Sequence, residues 1–134
     1  MKKSVFIIDR LAAIIAAIIL LQTLYFKFTA HPDSVYIFSK MGVEPWGRIL
    51  LGCLELTTAI LLLYPKTALY GSVLGAGVIS GAIVSHIFIL GIVVQNDHGK
   101  LFGLALSVFI CCLIILFIRR LDLLSLIKRA ASLK

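Results

Sequence analysis

The sequence predicts an all-α membrane protein, a four-helix transmembrane bundle with a short extracytoplasmic surface helix and a C-terminal interfacial amphipathic helix. Three observations predict it. Hydrophobic residues make up 61% of the 134 residues and charged residues 14%, against roughly 45 to 50% and about 25% in soluble domains. Mean hydropathy is +1.11. The apolar residues gather into four stretches, each close to the about 20 helical residues that cross a ~30 Å hydrocarbon core. A chain of this length forms one membrane domain with no room for a separate catalytic unit. Its composition excludes a soluble enzyme, a disordered tail, a collagen-like fibre and a disulfide-stapled secreted domain.

The elements follow in order. The first span, residues 7–28, has Gln22 as the only strongly polar residue between Leu11 and Phe26. Asp33 to Met41, after Pro32 and before Gly42, reads as two helical turns on the surface with Val35, Tyr36, Phe38 and Met41 facing inward. The second span, 47–64, carries Glu55 and is stopped by Tyr64-Pro65-Lys66-Thr67, because proline cannot continue a helical ladder. The third, 68–94, carries His86 and runs into the polar turn Gln95 to Lys100. The fourth, 101–118, has no charged residue. In the tail 121–134, Asp122, Ser125, Lys128, Arg129 and Ser132 share one helical face opposite Leu123, Leu126, Ile127, Ala130 and Leu133, the pattern of a lipid-surface anchor. A lipid-facing β-barrel would need strands of alternating polarity, and Ala12 to Leu21 does not alternate.

Charge sets the orientation. With the amino terminus cytoplasmic, that side holds Lys2, Lys3, Arg10, Lys66, Arg119, Arg120, Lys128, Arg129 and Lys134, and the other side holds Lys27, Lys40, Arg48 and Lys100. Nine against four places both termini in the cytoplasm. The net charge of +7 then faces anionic lipid headgroups, and no nucleic-acid partner is needed to explain it. Asp9 and Arg10 interrupt the start of the first span and no small-x-small site follows it, so the first helix is read as retained and not as a cleaved signal.

Helices in lipid are held together by close approach through small residues and by hydrogen bonds. Gly71 with Gly75, Gly77 with Gly81, then Gly52 with Ala59, and Gly103 with Ser107 and Cys111 supply such surfaces. One glycine face of the third span could instead serve a homodimer. Cys53, Cys111 and Cys112 lie inside spans without metal or redox spacing and read as small packing residues.

An ionisable group inside a span costs about 2.5 to 3.5 kcal/mol on the insertion scale and therefore turns toward the bundle interior and a partner. Glu55 lies eight residues, or ~12 Å, inside Gly47, and His86 lies as far inside Val94. Gln22 is six residues, or ~9 Å, inside Phe28. Lys27 and Arg48 can reach the same outer layer, and Arg48 shares a face with Gly52, Glu55 and Ala59. Two readings stand side by side. In one, Glu55 with Lys27, Arg48 or His86 is a polar clasp between helices. In the other, the group lines an outward-opening cavity for a lipid-soluble ligand such as a quinone. His31 and His98, with Asp33 and Asp97 nearby, read as solvated loop residues, because no metal-ligand spacing is present. No P-loop, nucleotide fingerprint, nucleophile elbow or heme-attachment motif occurs.

Several segments taken together, Leu21-Gln22-Thr23-Leu24-Tyr25-Phe26-Lys27-Phe28, His31-Pro32, Gly42-Val43-Glu44-Pro45-Trp46, Leu51 to Leu56, Tyr64 to Ala68, and Gly81 to His86, resemble the DoxX-like family of small bacterial membrane proteins over about residues 7 to 118. The resemblance implies a four-helix protein of the bacterial inner membrane, in a family named for a subunit of a thiosulfate:quinone oxidoreductase. The family's polar positions match Gln22, Lys27, Glu55 and His86. With no intrinsic cofactor motif and no catalytic residue assigned, the chain is expected to act as a non-catalytic subunit or accessory protein that holds a quinone or lipid and docks a redox partner. A small permease or proton-coupled carrier, and a purely structural scaffold, are the alternatives.

Overall fold

The structure is a computed structural model describing residues 1–134. It contains helices α1 (Lys3–Phe28), α2 (Pro32–Lys40), α3 (Trp46–Leu63), α4 (Ala68–Ser85, continued by a π-helical turn His86–Leu90), α5 (Lys100–Ile118) and α6 (Arg120–Ser132). Helices α1, α3, α4 with its π turn, and α5 are long and apolar enough to cross a membrane. They close into a ring in which α1 packs on α3 and α5, and α4 packs on the same two.

Small side chains set the spacing of the ring. Ala12, Ala13, Ala16 and Ala17 are all buried on α1, so the neighbouring helices approach its backbone without long side chains between them. A Cβ on Gly71 would lie 2.8 Å from the backbone N of Leu62, and one on Gly75 would lie 2.8 Å from Cys112 Sγ. Gly71 and Gly75 therefore serve contacts within the chain. Gly77, Gly81 and Gly103 meet nothing within 4 Å. Outward, α1 shows Ile14 and Ile18, α3 shows Ile60, and α5 shows Ile110 and Phe117, as helices surrounded by hydrocarbon do.

At the end where both termini lie, Asp9 is fully buried within an ionic knot. Arg119 holds it through Nε (2.8 Å) and Nη2 (2.7 Å), and Arg10 through Nε (3.0 Å) and Nη2 (2.9 Å). Arg10 also donates to Leu62 O, and Arg119 to Pro65 O. The knot ties the start of α1 to the ends of α3 and α5. In the sequence this Asp-Arg pair reads only as a charged interruption.

Three expectations need correction. The third span ends at Leu90 and not at Val94, because Gly91 takes φ +84 and ψ 167, a conformation open essentially to glycine alone. On α2 the buried residues are Ser34 and Phe38, while Tyr36 is exposed, with Lys40 over its ring. Cys53 is exposed on the bundle exterior. Its helix turns Gly52, Glu55 and Ala59 inward instead. The tail forms α6 as predicted, with no buried residue.

Candidate functional site

Beneath α2, the halves of the four spanning helices that lie away from the termini part around a cavity of about 530 Å³. The opposite half of the bundle is filled by the alanines of α1 with Leu62, Cys112 and Ile115. The cavity's deeper wall is apolar, built from residues such as Ile19, Leu54, Val78, Leu104 and Val108, and Phe38 and Ile37 of α2 form part of its cover.

Gln22, Lys27, Glu55 and His86, all expected at the site, line this one cavity. Thr23 and Lys27 lie four residues apart and therefore on one face of α1, and that face meets α3 at Glu55. Lys27 Nζ is 2.9 Å from Glu55 Oε2. Thr23 Oγ1 shares its hydrogen between Leu20 O (2.9 Å) and Glu55 Oε2 (3.2 Å). Glu55 is only 4% exposed, so the ion pair offsets a desolvation cost that either charge alone could not bear. Gln22 is exposed and stands on the lining as a less enclosed group.

Arg48 is the exception among the expected site residues. It is buried, yet it does not line the cavity or pair with Glu55. Its Nη2 lies 2.8 Å from Glu44 Oε1, and its Nη1 donates to Lys27 O. The helical face it shares with Glu55 leaves two turns between them, whereas Glu44 is one turn away. Arg48 thus braces the end of α1 against α3.

His86 is 3% exposed and opens the π-helical turn. Its backbone O accepts from Gly91 N (2.8 Å), and its ring Nδ1 lies 3.0 Å from Gly91 O. A carbonyl can only accept, so the neutral ring carries its hydrogen on Nδ1 and leaves Nε2 as an acceptor. Phe102 meets the ring edge-on, with centroids 5.5 Å apart. Because the span ends at Leu90, His86 stands nearer the helix end than a count from Val94 predicts, and no hydrogen bond joins it to Glu55.

Asp97 is a further organising residue. Its Oδ1 accepts from Val94 N (3.0 Å) and Gly99 N (2.8 Å), and its Oδ2 from Leu101 N (3.0 Å), which folds the loop over the cavity rim and caps the start of α5. Burial pushes this carboxyl up, but the three backbone donors and nearby His86 outweigh it and hold the group below its ordinary 3.8. His31 caps α2 by accepting from Asp33 N at 3.3 Å. The sequence assigns Thr23 and Gly91 no role, and Asp97, read there with His98 as part of a solvated loop, instead accepts three backbone hydrogen bonds. The usable signals were Thr23 one turn from Lys27, and an Asp two residues before a glycine at a helix start.

No curated protein and no solved structure matches the chain. The sequence pattern of the DoxX-like family matches residues 11–117, reaching into all four spanning helices and including every cavity group named above. The protein is a multi-spanning helical membrane protein belonging to the DoxX-like family.

Proposed function

We propose that this DoxX-like protein is a non-catalytic subunit or accessory protein of a redox system in the bacterial inner membrane. Its cavity holds a small lipid-soluble molecule, quinone-like or another amphiphile, with the polar end among Gln22, Lys27, Glu55 and His86. The observation that carries this reading is the joining of an apolar cavity of about 530 Å³ to a buried Lys27–Glu55 pair and a buried imidazole on its wall. Ligand sites combine such an apolar volume with a few convergent polar groups. The basic excess on the side of both termini supports a cytoplasmic placement for them. A redox partner would bring the electron-carrying cofactor. A second copy would meet the first along the face of α4 that carries Gly77, where an added Cβ touches nothing.

The test is purification in mild detergent, followed by extraction and mass spectrometry of co-purified lipids and proteins. The expected result is a stoichiometric amphiphile that is lost in Glu55→Gln, together with a redox protein. The ion pair by itself favours a second reading, a scaffold whose clasp only fixes α1 to α3. Empty, partnerless wild-type protein would establish that reading in place of the first.

A further inference from the structure

Glu55 and His86, both buried on the cavity wall, each keep one side-chain polar atom without a hydrogen-bond partner. Both contacts to Glu55 are to Oε2, and no hydrogen bond reaches Oε1. On His86, Nδ1 is tied to Gly91 O, and Nε2 has no partner. Every fully enclosed side-chain nitrogen or oxygen in the protein does have a hydrogen-bond partner. Oε1 and Nε2 are therefore not fully enclosed, and both residues line the same cavity although they are 4% and 3% exposed. With Glu55 as the carboxylate of its ion pair and the His86 ring neutral, both atoms are acceptors. The carboxylate has no hydrogen of its own in the ion pair, and the imidazole has spent its hydrogen on Gly91.

The geometry points to a ligand whose polar end donates hydrogen bonds, a hydroxyl-bearing amphiphile such as an alkyl hydroquinone or phenol, in preference to the carbonyl or ether form of the same skeleton. This rests on the cavity being a ligand site, as proposed above. A hydroxyl at Glu55 satisfies both members of the ion pair, giving its hydrogen to Oε1 while its oxygen accepts from Lys27 Nζ. A second hydroxyl gives its hydrogen to His86 Nε2. A carbonyl oxygen can meet only Lys27 and leaves lone pair facing lone pair at the other two atoms. Burying an acceptor without its donor costs the full desolvation of that group, and a site built to pair a hydroxyl rejects the analogue that lacks it.

The experiment uses the full chain in lipid nanodiscs under nitrogen, with decyl hydroquinone and its O,O-dimethyl ether as probes. Affinities are expressed per mole fraction of probe in the lipid, so that partitioning cancels. The hydroquinone is expected to bind at least about 10-fold more tightly, the ratio one charge-assisted hydrogen bond supplies. His86→Asn keeps a donor for Gly91 O and removes the Nε2 acceptor, so the preference should fall several-fold with the fold intact by circular dichroism. Glu55→Gln turns an acceptor into a donor and should level or reverse the preference. Equal binding of both probes by the wild type overturns the donor requirement and leaves the cavity reading standing. Binding of neither probe by folded wild type overturns both.

Discussion

Glu55 is a carboxylate placed where ions are costly, and it is legible in the sequence for that reason. A lone acid in an apolar run must find a partner or leave the membrane interior. Which cation it finds is not legible, because helical spacing gives height along one helix and says nothing of how two helices are rotated against each other. Lys27, Arg48 and His86 are equally eligible by height. The structure selects Lys27, since its face of α1 turns toward α3, while Arg48 is taken by Glu44 one turn away. Removing Glu55 strands the Lys27 ammonium at 11% side-chain exposure. Glu55→Ala is expected to cost about 3 to 5 kcal/mol, and Lys100→Ala at an exposed position less than about 0.5 kcal/mol. Unfolding in detergent monitored by circular dichroism checks both. Asp9→Ala should be as damaging as Glu55→Ala, because it leaves Arg10 and Arg119 facing each other without their common anion. Equal midpoints for Asp9→Ala and wild type would refute the knot. Asp9 stayed hidden in the sequence because its main partner, Arg119, lies 110 positions away.

At the scale of elements, span existence and approximate ends are read from hydropathy alone, since the lipid thickness fixes length. The end of α4 is the instructive miss. Ile92, Val93 and Val94 are as apolar as the helix before them, so hydropathy carries on where the backbone does not. Gly91 turns the chain and is held at both its N–H and its C=O by His86. Gly91→Ala forces a side chain into that conformation and should cost about 1 to 3 kcal/mol, with loss of the π turn visible in the His86 ring chemical shifts. The loop that follows depends on Asp97. Because its carboxyl is held below its ordinary 3.8 in the fold, its contribution is fully present above that ordinary value. It is lost as the pH falls through the lower, folded value. Amide protection at Val94, Gly99 and Leu101 should therefore persist at neutral pH and fall only in strong acid. In Asp97→Ala it should be absent throughout, at a cost of about 1 kcal/mol, as for other lost caps. Within α4 the glycines divide. Gly71→Ala meets backbone and should lower the thermal midpoint clearly, whereas Gly77→Ala meets open space and should not.

The whole molecule divides by height into a packed half and a hollow half. On the side of the termini, alanines, glycines and the Asp9 knot draw the helices together. On the α2 side the helices part around a cavity whose wall carries polar groups and whose depth is apolar. The sequence shows that polar residues from three helices reach this side, because each lies within about two to three turns of a loop at the end away from the termini. It does not show that the space between them is empty, since a cavity is a property of how large side chains on different helices point. Nor does it show that α2 lies over the opening, although the helix itself is plain from Pro32 and its capping context. The measurement that bears most directly on this picture is an experimental density map of the wild-type protein prepared in its native lipid. The expected result is one elongated molecule beneath α2 with its polar end in hydrogen-bond reach of Glu55 Oε1 or His86 Nε2. Ordered water alone between these two groups, or either side chain turned out to the acyl chains, would contradict the account.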